Sequence, residues 1–260
     1  TLTGPDAVNT WSMSGAYAGT LTTNAKAITF SNIQELSGGS AGDALSGVSG
    51  GSTWTLSGEN SGSISGSINY ANMNTLTGGG AGNDTFNVTY TAGQVITING
   101  NGGTNTLTGP DATNTWELSS VTGTGTLTTN AKAISYSNIQ NLTGGNGNDT
   151  FFLNDGAGIA GSINGSAGSN TLNYSSYTAL NSVTVDIQNG TATNINGGFS
   201  NIQTFTGGMG SNDTLIGPNT NNTWGLTGDN AGVINGIYTF SGFENLTGGA
   251  GNGTFEMNDN

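Results

Sequence analysis

The sequence predicts an all-β protein with the fold of a right-handed parallel β-helix, or β-solenoid. Three observations lead to this prediction: a recurring glycine-rich turn, strand-like alternation without helical periodicity, and a shortage of apolar residues. The turn is clearest as LTGGNGNDTF at 142–151 and recurs at 76–86, 205–215 and 246–255, with a looser copy at 36–45. Apolar residues stand at both ends of every copy. The chain therefore leaves a core, turns and returns to it at regular intervals.

The composition is far from that of an ordinary globular domain. Glycine supplies 47 of the 260 residues, and apolar residues make up 32% where ordinary domains have about 45–50% when glycine is included. Disordered chains combine such a shortage with high charge, but here only 7% of residues are charged and the periodicity is strong. A repeat protein resolves this conflict, because neighbouring coils cover each other's few inward residues.

The apolar residue after each turn sets the predicted repeat length. The intervals between successive markers are 43, 41, 21, 44, 21, 43 and 40 residues. These values favour a coil of roughly 21 residues and hence about twelve coils, which at the spacing of adjacent strands would form a rod on the order of 58 Å long. The markers are Leu2, Leu45, Phe86, Leu107, Phe151, Leu172, Leu215 and Phe255.

Within the coils, the local pattern is that of β-strands. Thr-Leu-Thr occurs at 1–3, 20–22, 75–77, 106–108 and 126–128, placing one apolar residue between two outward hydroxyls. Asn, Gly, Asp and Ser cluster between these strands, where turns require them. The coil handedness is expected from the right-handed preference of parallel crossovers.

The four tryptophans occupy one repeated position, nine residues after a marker. They are Trp11, Trp54, Trp116 and Trp224. A tryptophan at a fixed repeat position usually fills the core, where its N–H finds an acceptor. The alternative is a row of stacking platforms for sugars, which would make the protein a glycan-binding module.

Charge excludes several functions. Lys26 and Lys132 are the only basic residues, histidine and arginine are absent, and the net charge is −13. Nucleic-acid binding needs cations that neutralise phosphates, and anionic membranes attract basic segments, so neither partner is expected. No apolar run is long enough to insert into a membrane. Cysteine is also absent, so the chain uses no disulfides and carries no thiol to oxidise.

Catalysis is not predicted either. Without histidine, cysteine or arginine, a general base or nucleophile must come from carboxylates, hydroxyls or the two lysines. A glycosidase needs two carboxylates that face one bond, whereas the acids here recur singly along the repeat. The sequence therefore predicts a protein that is not an enzyme.

The motifs of this sequence resemble those of two protein families. Gly144-Gly145-Asn146-Gly147-Asn148-Asp149-Thr150-Phe151 resembles the calcium-binding nonapeptide of RTX proteins, although the copies here are isolated and not tandem. The NTW and SNIQNLTGG elements resemble filamentous-haemagglutinin-like surface proteins of Gram-negative bacteria and cyanobacteria.

The resemblance implies a parallel β-helix that is secreted, extracellular or on the bacterial cell surface. Its role would be structural, as the rod-like stalk of an adhesin or the subunit of a surface fibre. Residues 1–260 are then expected to be a single solenoid domain, cut from a longer chain. Its ends could stack on other copies, and its surface could contact host cells or glycans.

Calcium is the metal that the turns suggest. Acids stand two residues before four of the markers, and asparagine takes that position in two of the following coils; the candidate ligands are Asp43, Asp84, Asn105, Asp149, Asn170 and Asp213. Calcium needs six to eight oxygens, so the pairs Asp84–Asn105 and Asp149–Asn170 are the better candidates. The alternative is a structural turn held by an Asn/Asp ladder. No other cofactor is expected.

A third ligand is suggested by the outward threonines. Ranks of Thr-x-Thr on a β-solenoid resemble the surfaces of ice-binding proteins, although several copies here lack one of the two threonines. The simpler explanation is that threonine is a favourable outward residue that pairs well across strands. A ligand-binding solenoid for calcium, ice or glycan is therefore the alternative to the structural role.

Overall fold

The computed structural model describes residues 1–257, and all of its regular elements are β-strands. No helix capable of crossing a membrane occurs among these residues. The first fifteen strands are β1 (Leu2–Thr3), β2 (Asn9–Gly15), β3 (Ala18–Thr23), β4 (Lys26–Phe30), β5 (Glu35–Ser37), β6 (Ala44–Ser46), β7 (Thr53–Gly58), β8 (Ser61–Ile64), β9 (Ile68–Ala71), β10 (Thr75–Thr77), β11 (Thr85–Val88), β12 (Ile96–Asn99), β13 (Thr106–Thr108), β14 (Asn114–Leu118) and β15 (Gly125–Thr129).

The other strands follow in the same style, short and separated by glycine-rich turns. They are β16 (Lys132–Ser137), β17 (Asn141–Thr143), β18 (Thr150–Leu153), β19 (Ile163–Asn164), β20 (Thr171–Asn173), β21 (Thr184–Asp186), β22 (Thr191–Ala192), β23 (Phe199–Ser200), β24 (Thr204–Thr206), β25 (Thr214–Ile216), β26 (Asn222–Gly228), β27 (Ala231–Ile234), β28 (Tyr238–Ser241), β29 (Asn245–Thr247) and β30 (Gly253–Met257).

The chain forms two compact units. Unit 1 comprises Thr1–Asn114 and Thr124–Thr143, and unit 2 comprises Thr115–Gly123 and the chain from Gly144 onward. Unit 1 contains two sheets. Sheet A has the strand order β1-β5-β9-β8-β7-β11-β13-β17, and sheet B has the order β4-β3-β2-β6-β10-β12-β16-β15.

Unit 2 follows the same plan. Its longest sheet has the order β14-β18-β20-β24-β28-β27-β26-β30, and shorter ladders join β19 to β23 and β22-β21-β25-β29. In both units, strands from successive turns pair in parallel with equivalent residues side by side. Leu76 pairs with Leu45 and Ile98 in unit 1, for example, and Leu172 pairs with Phe151 and Phe205 in unit 2. The fold is the predicted parallel β-solenoid.

The predicted number of coils is wrong. The described residues make about eight turns of about 32 residues, not twelve of roughly 21. Short turns do have the predicted length, since Phe86 pairs with Leu107, 21 residues later. The long units are not two such coils, because Leu2 pairs with Leu36 and Trp11 with Leu45, each 34 residues apart.

The extra residues of the long turns form antiparallel hairpins. Strands β2-β3-β4 and β7-β8-β9 in unit 1, and β26-β27-β28 in unit 2, are three-stranded meanders inserted into the parallel ladders. The second turn of each meander has both central residues in the left-handed region, at Asn24-Ala25, Ser65-Gly66 and Asn235-Gly236. This is the type I′ geometry that matches the twist of paired strands. The prediction of a purely parallel coil missed these hairpins.

The core consists of stacked inward side chains. All four tryptophans are fully buried, as the sequence predicted, so none of them offers a ring face to a sugar. Trp54 stacks on Phe86 and Trp116 on Phe151, each with ring centroids 5.6 Å apart, and Trp224 stacks on Phe255 at 5.2 Å. Because the paired strands are in register, each ring lies directly against the inward residue of the next turn.

Candidate functional site: the polar corners of the solenoid

All six candidate calcium ligands lie at corners, where the chain passes from one sheet to the other. Each stands two residues before an inward strand residue, and each is fully buried despite being polar. They are Asp43, Asp84, Asn105, Asp149, Asn170 and Asp213. A buried polar group costs free energy unless it is hydrogen-bonded, so the partners of these side chains explain their position.

In unit 1, one corner forms a ladder along the stack. The Ser52 N–H donates to Asp84 Oδ1 at 2.7 Å, and the Asp84 N–H donates to Asn105 Oδ1 at 2.8 Å. The Asn105 N–H in turn donates to Gln140 Oε1 at 2.6 Å. Every side-chain oxygen thus accepts the main-chain N–H of the equivalent residue in the neighbouring turn. The predicted pair Asp84–Asn105 is therefore adjacent, and the contact is a hydrogen bond.

The opposite corner of unit 1 repeats this arrangement. The Asn9 N–H donates to Asp43 Oδ1 at 2.7 Å, and the Asp43 N–H donates to Asn74 Oδ1 at 3.1 Å. These bonds satisfy main-chain N–H groups at points where the strands separate and the sheet ladder ends. The corners therefore continue the hydrogen bonding of the sheets around the turns.

Unit 2 uses the same ladder. The Asp149 N–H donates to Asn170 Oδ1 at 2.9 Å, and the Asn170 N–H donates to Gln203 Oε1 at 2.8 Å. At another corner the Val183 N–H donates to Asp213 Oδ1 at 2.7 Å. The second predicted pair, Asp149–Asn170, is also brought together.

Four residues in these ladders were missed by the sequence reasoning. Asn74, Gln140, Gln203 and Glu244 supply the side-chain oxygens for Asp43, Asn105, Asn170 and Asp213. The signal was present, because each of the four also stands two residues before an inward strand residue. The SNIQ element recurs at 31–34, 137–140 and 200–203, and its glutamine stands at the position that aspartate takes in the other corners.

Aspartate and asparagine corners differ in their second polar atom. Asn105 Nδ2 donates to the carbonyl oxygens of Asn138 at 2.9 Å and Gly102 at 3.2 Å. At the aspartate corner of unit 2, Asp213 Oδ2 instead accepts the Gly208 N–H at 2.7 Å. The turn thus presents carbonyls to an amide and an N–H to a carboxylate. The choice between the two residue types follows the orientation of the turn peptides.

The asparagine corners reorient these peptides through a left-handed residue. Asn101 has φ of 61° and Ser166 has φ of 66°, three residues after the inward residues Ile98 and Ile163. Asparagine tolerates this conformation better than most residues. The glycines at the start of the turns let the backbone lie close to the corner side chains. A Cβ on Gly78 would lie 2.4 Å from Asp84 Oδ2 and 2.3 Å from the Gly100 carbonyl oxygen.

Burial raises the pKa of Asp84, and N–H groups oppose this shift. The Gly79 and Ser52 N–H groups and the Trp54 indole favour the charged form, in that order. The Ser52 contact is a standard hydrogen bond, but Asp84 Oδ2 and Trp54 Nε1 are both buried and neither makes a hydrogen bond of standard geometry. This carboxylate is therefore less well satisfied than Asp213.

The corners fit a hydrogen-bonded ladder better than a calcium cage. Calcium takes six to eight oxygen ligands, several of them carboxylates. An aspartate corner contributes one aspartate, and Oδ1 of Asp43, Asp84 and Asp213 already accepts an N–H. Among residues 1–257, no group of three or more acidic side chains lies close enough to hold a metal ion. Calcium binding at the six candidates stays a prediction that needs a direct test.

A second, more exposed ladder runs beside the first. The Thr104 N–H donates to Asn83 Oδ1 at 2.7 Å in unit 1, and the Ser169 N–H donates to Asn148 Oδ1 at 2.8 Å in unit 2. Asn83 and Asn148 each precede a corner aspartate, so the Asn-Asp dipeptide of the turn motif supplies both ladders. The Asn-Asp dipeptide of the turn motif therefore has a structural use: its side chains bind one turn of the solenoid to the next.

No protein-family model, curated protein or solved structure matches this chain. The functional argument therefore depends on the residues themselves. The candidate ligands at the corners hold one turn to the next, and the four tryptophans that could have stacked on sugars are buried.

Proposed function

We propose that this chain is a structural segment of an extracellular bacterial surface protein, either the stalk of an adhesin or the subunit of a surface fibre. One observation carries the proposal. The repeated turn motif, which is the most distinctive part of the sequence, is used for hydrogen bonds between successive turns of the solenoid. Such a design favours stiffness and repetition over chemistry at one place.

The resemblance to filamentous-haemagglutinin-like and RTX-like proteins supports the same proposal. These families combine glycine-rich repeats with secretion, and the absence of cysteine and the net charge of −13 agree with a secreted chain. In this role the protein has no catalytic function. Its partners would be further copies of itself or molecules at a cell surface.

Electron microscopy of the purified chain tests the structural role. A stalk segment should give short particles whose length does not change with concentration, whereas a fibre subunit should give filaments that lengthen as concentration rises. Compact round particles at every concentration would contradict both versions of the proposal.

Protease treatment of intact producing cells tests the location. A surface stalk should be removed by an added protease while cytoplasmic marker proteins remain intact. If the chain survives until the cells are lysed, the extracellular role is wrong.

A further inference from the structure

The outer face of sheet B in unit 1 carries two rows of small hydroxyl and methyl groups. The first row crosses five neighbouring strands, β2, β6, β10, β12 and β16, with the residues paired directly in register. Its members are Thr10, Ala44, Thr75, Thr97 and Ser135. All five are exposed or half-buried, because the residues that follow them in the chain point inward.

The second row lies two residues further along the same strands. Its members are Ser12, Ser46, Thr77, Asn99 and Ser137. The Asn99 amide is fixed, since its Oδ1 accepts the Asn138 Nδ2–H at 2.8 Å and the Asn101 N–H at 2.9 Å. On β3 the pattern continues, with Thr22 beside Thr10 and Thr20 beside Ser12.

The two rows are uncharged although the chain carries a net charge of −13. Neither row contains a lysine, aspartate or glutamate, and each strand contributes at least one hydroxyl, methyl or amide group of similar size. A surface that must match a neutral lattice gains nothing from charges, which hold their own hydration shells. The partner that fits is therefore uncharged and regularly repeating.

The spacing of the rows can be compared with that of ordered water. Neighbouring strands are about 4.8 Å apart, and alternate residues along a strand are about 6.7 Å apart. Tetrahedral water with O···O hydrogen bonds of about 2.75 Å has second-neighbour oxygens about 4.5 Å apart and a repeat of about 7.3 Å along the perpendicular axis of hexagonal ice. The two lattices agree to within about 0.6 Å in each direction.

We propose that this face of sheet B binds ice. The in-register hydroxyl and methyl groups would hold water molecules at positions close to those of an ice plane, and the corner ladders would keep the rows in place. The proposal concerns a binding surface and does not depend on the structural role, since a stalk and an isolated module could both carry it.

Partition of the protein into slowly growing ice tests the proposal. The wild-type chain should enter the ice and shape its crystals. The double variant Thr75→Lys/Thr77→Lys, which places two charges in the centre of the rows, should lower the partition at least about tenfold.

The chain offers a matched control on the opposite sheet. Thr106-Leu107-Thr108 of β13 has the same sequence and the same burial pattern as Thr75-Leu76-Thr77 of β10. It lies on sheet A, where asparagine takes two of the four neighbouring positions: the neighbours are Thr85, Asn87, Asn141 and Thr143. The variant Thr106→Lys/Thr108→Lys should therefore bind ice like the wild type. Circular dichroism and thermal melting should show that both variants fold; if the β10 variant does not, the single variant Thr97→Lys at an exposed position replaces it.

Three outcomes would overturn the proposal. The first is a wild-type chain that is excluded from ice and leaves crystals round. The second is equal loss in the β10 and β13 variants, which would assign the effect to net charge and not to sheet B. The third is binding to crystalline cellulose or chitin without ice shaping, which would identify a polysaccharide as the partner.

Discussion

At the scale of single residues, this protein uses a carboxylate or an amide at each corner according to what the turn presents. Asp213 is the best-satisfied example, with Oδ1 and Oδ2 each accepting a main-chain N–H at 2.7 Å. Hydrogen bonds from buried N–H groups to a carboxylate are stronger than those between neutral groups. Removal of the Asp213 side chain should therefore show how much one corner contributes to the free energy of unfolding.

Asp213→Ala should destabilise the protein by about 3 kcal/mol, because it leaves the N–H groups of Val183 and Gly208 without acceptors. Asp213→Asn keeps one acceptor oxygen and should cost less. The exposed hairpin residue Asp229 provides the control, and Asp229→Ala should change the free energy of unfolding by less than about 0.5 kcal/mol. Denaturant unfolding measures all three. Equal effects at Asp213 and Asp229 would show that the corner bond contributes nothing.

Two aspartates should give opposite pH dependences. Burial raises the pKa of Asp84, so its stabilising contribution is present below the unfolded pKa of about 3.9 and is lost as the pH rises through the folded value. Hydrogen bonds from Asn181 and Thr178 lower the pKa of Asp155, so its contribution is present above about pH 3.9 and is lost as the pH falls.

Unfolding in denaturant between about pH 2 and about pH 6 separates the two cases. The free energy of unfolding of the wild type minus that of Asp84→Asn should decrease as the pH rises. The free energy of unfolding of the wild type minus that of Asp155→Asn should decrease as the pH falls. The same sign of slope for both comparisons would refute the assignment of at least one of these pKa shifts.

At the scale of elements, the strands were predictable and the hairpins were not recognised. Period-two alternation identified Thr-Leu-Thr at 75–77 and 106–108 as strands, and both are strands with the central leucine buried. The Asn-Gly at 235–236 is a strong hairpin signal between two strands, and a coil of fixed length leaves no place for it. The predicted coil of constant length therefore omitted the hairpins, which local turn residues encode independently of the repeat.

The hairpin turns allow a test of backbone strain. Ala25 has φ of 59° at a type I′ position where glycine has no steric cost, so Ala25→Gly should stabilise the protein by up to about 1 kcal/mol. Gly66 has φ of 63° and open space around an added Cβ, so Gly66→Ala should destabilise it by about 1 kcal/mol through the backbone alone.

Gly50 is the matched control for these two variants. It also has open space around an added Cβ, but its φ lies outside the left-handed region. Gly50→Ala should therefore be neutral or stabilising by about 0.4–1 kcal/mol. Thermal melting of the three variants decides the point. Destabilisation of similar size in Gly50→Ala and Gly66→Ala would mean that the turn conformation is not the cause.

At the scale of the whole molecule, the sequence identified the solenoid but not its turn length. The same corner motif occurs on both sides of the solenoid. Leu36 lies on sheet A, for example, and the next marker, Leu45, lies on sheet B. For this reason the spacing of the motif made one turn resemble two coils. Registers such as Phe86 with Leu107 could be predicted because those turns contain no hairpin. The position of each aspartate was predictable from spacing, whereas its partners depended on which turn lies next in the stack.

Calcium binding is the whole-molecule property that the turn motif suggests most strongly, and thermal melting tests it. A single ion at 100 times its dissociation constant would stabilise the folded chain by about 2.7 kcal/mol. An aspartate corner offers one aspartate, and Oδ1 of Asp43, Asp84 and Asp213 already accepts an N–H. We therefore expect the melting temperature to stay constant as calcium is added. A rise that is lost in Asp84→Asn or Asp149→Asn, but kept in the exposed control Asp229→Asn, would instead establish the predicted metal site. In that event the corner ladders would have to rearrange, because an ion and a main-chain N–H cannot share the same side of one carboxylate oxygen.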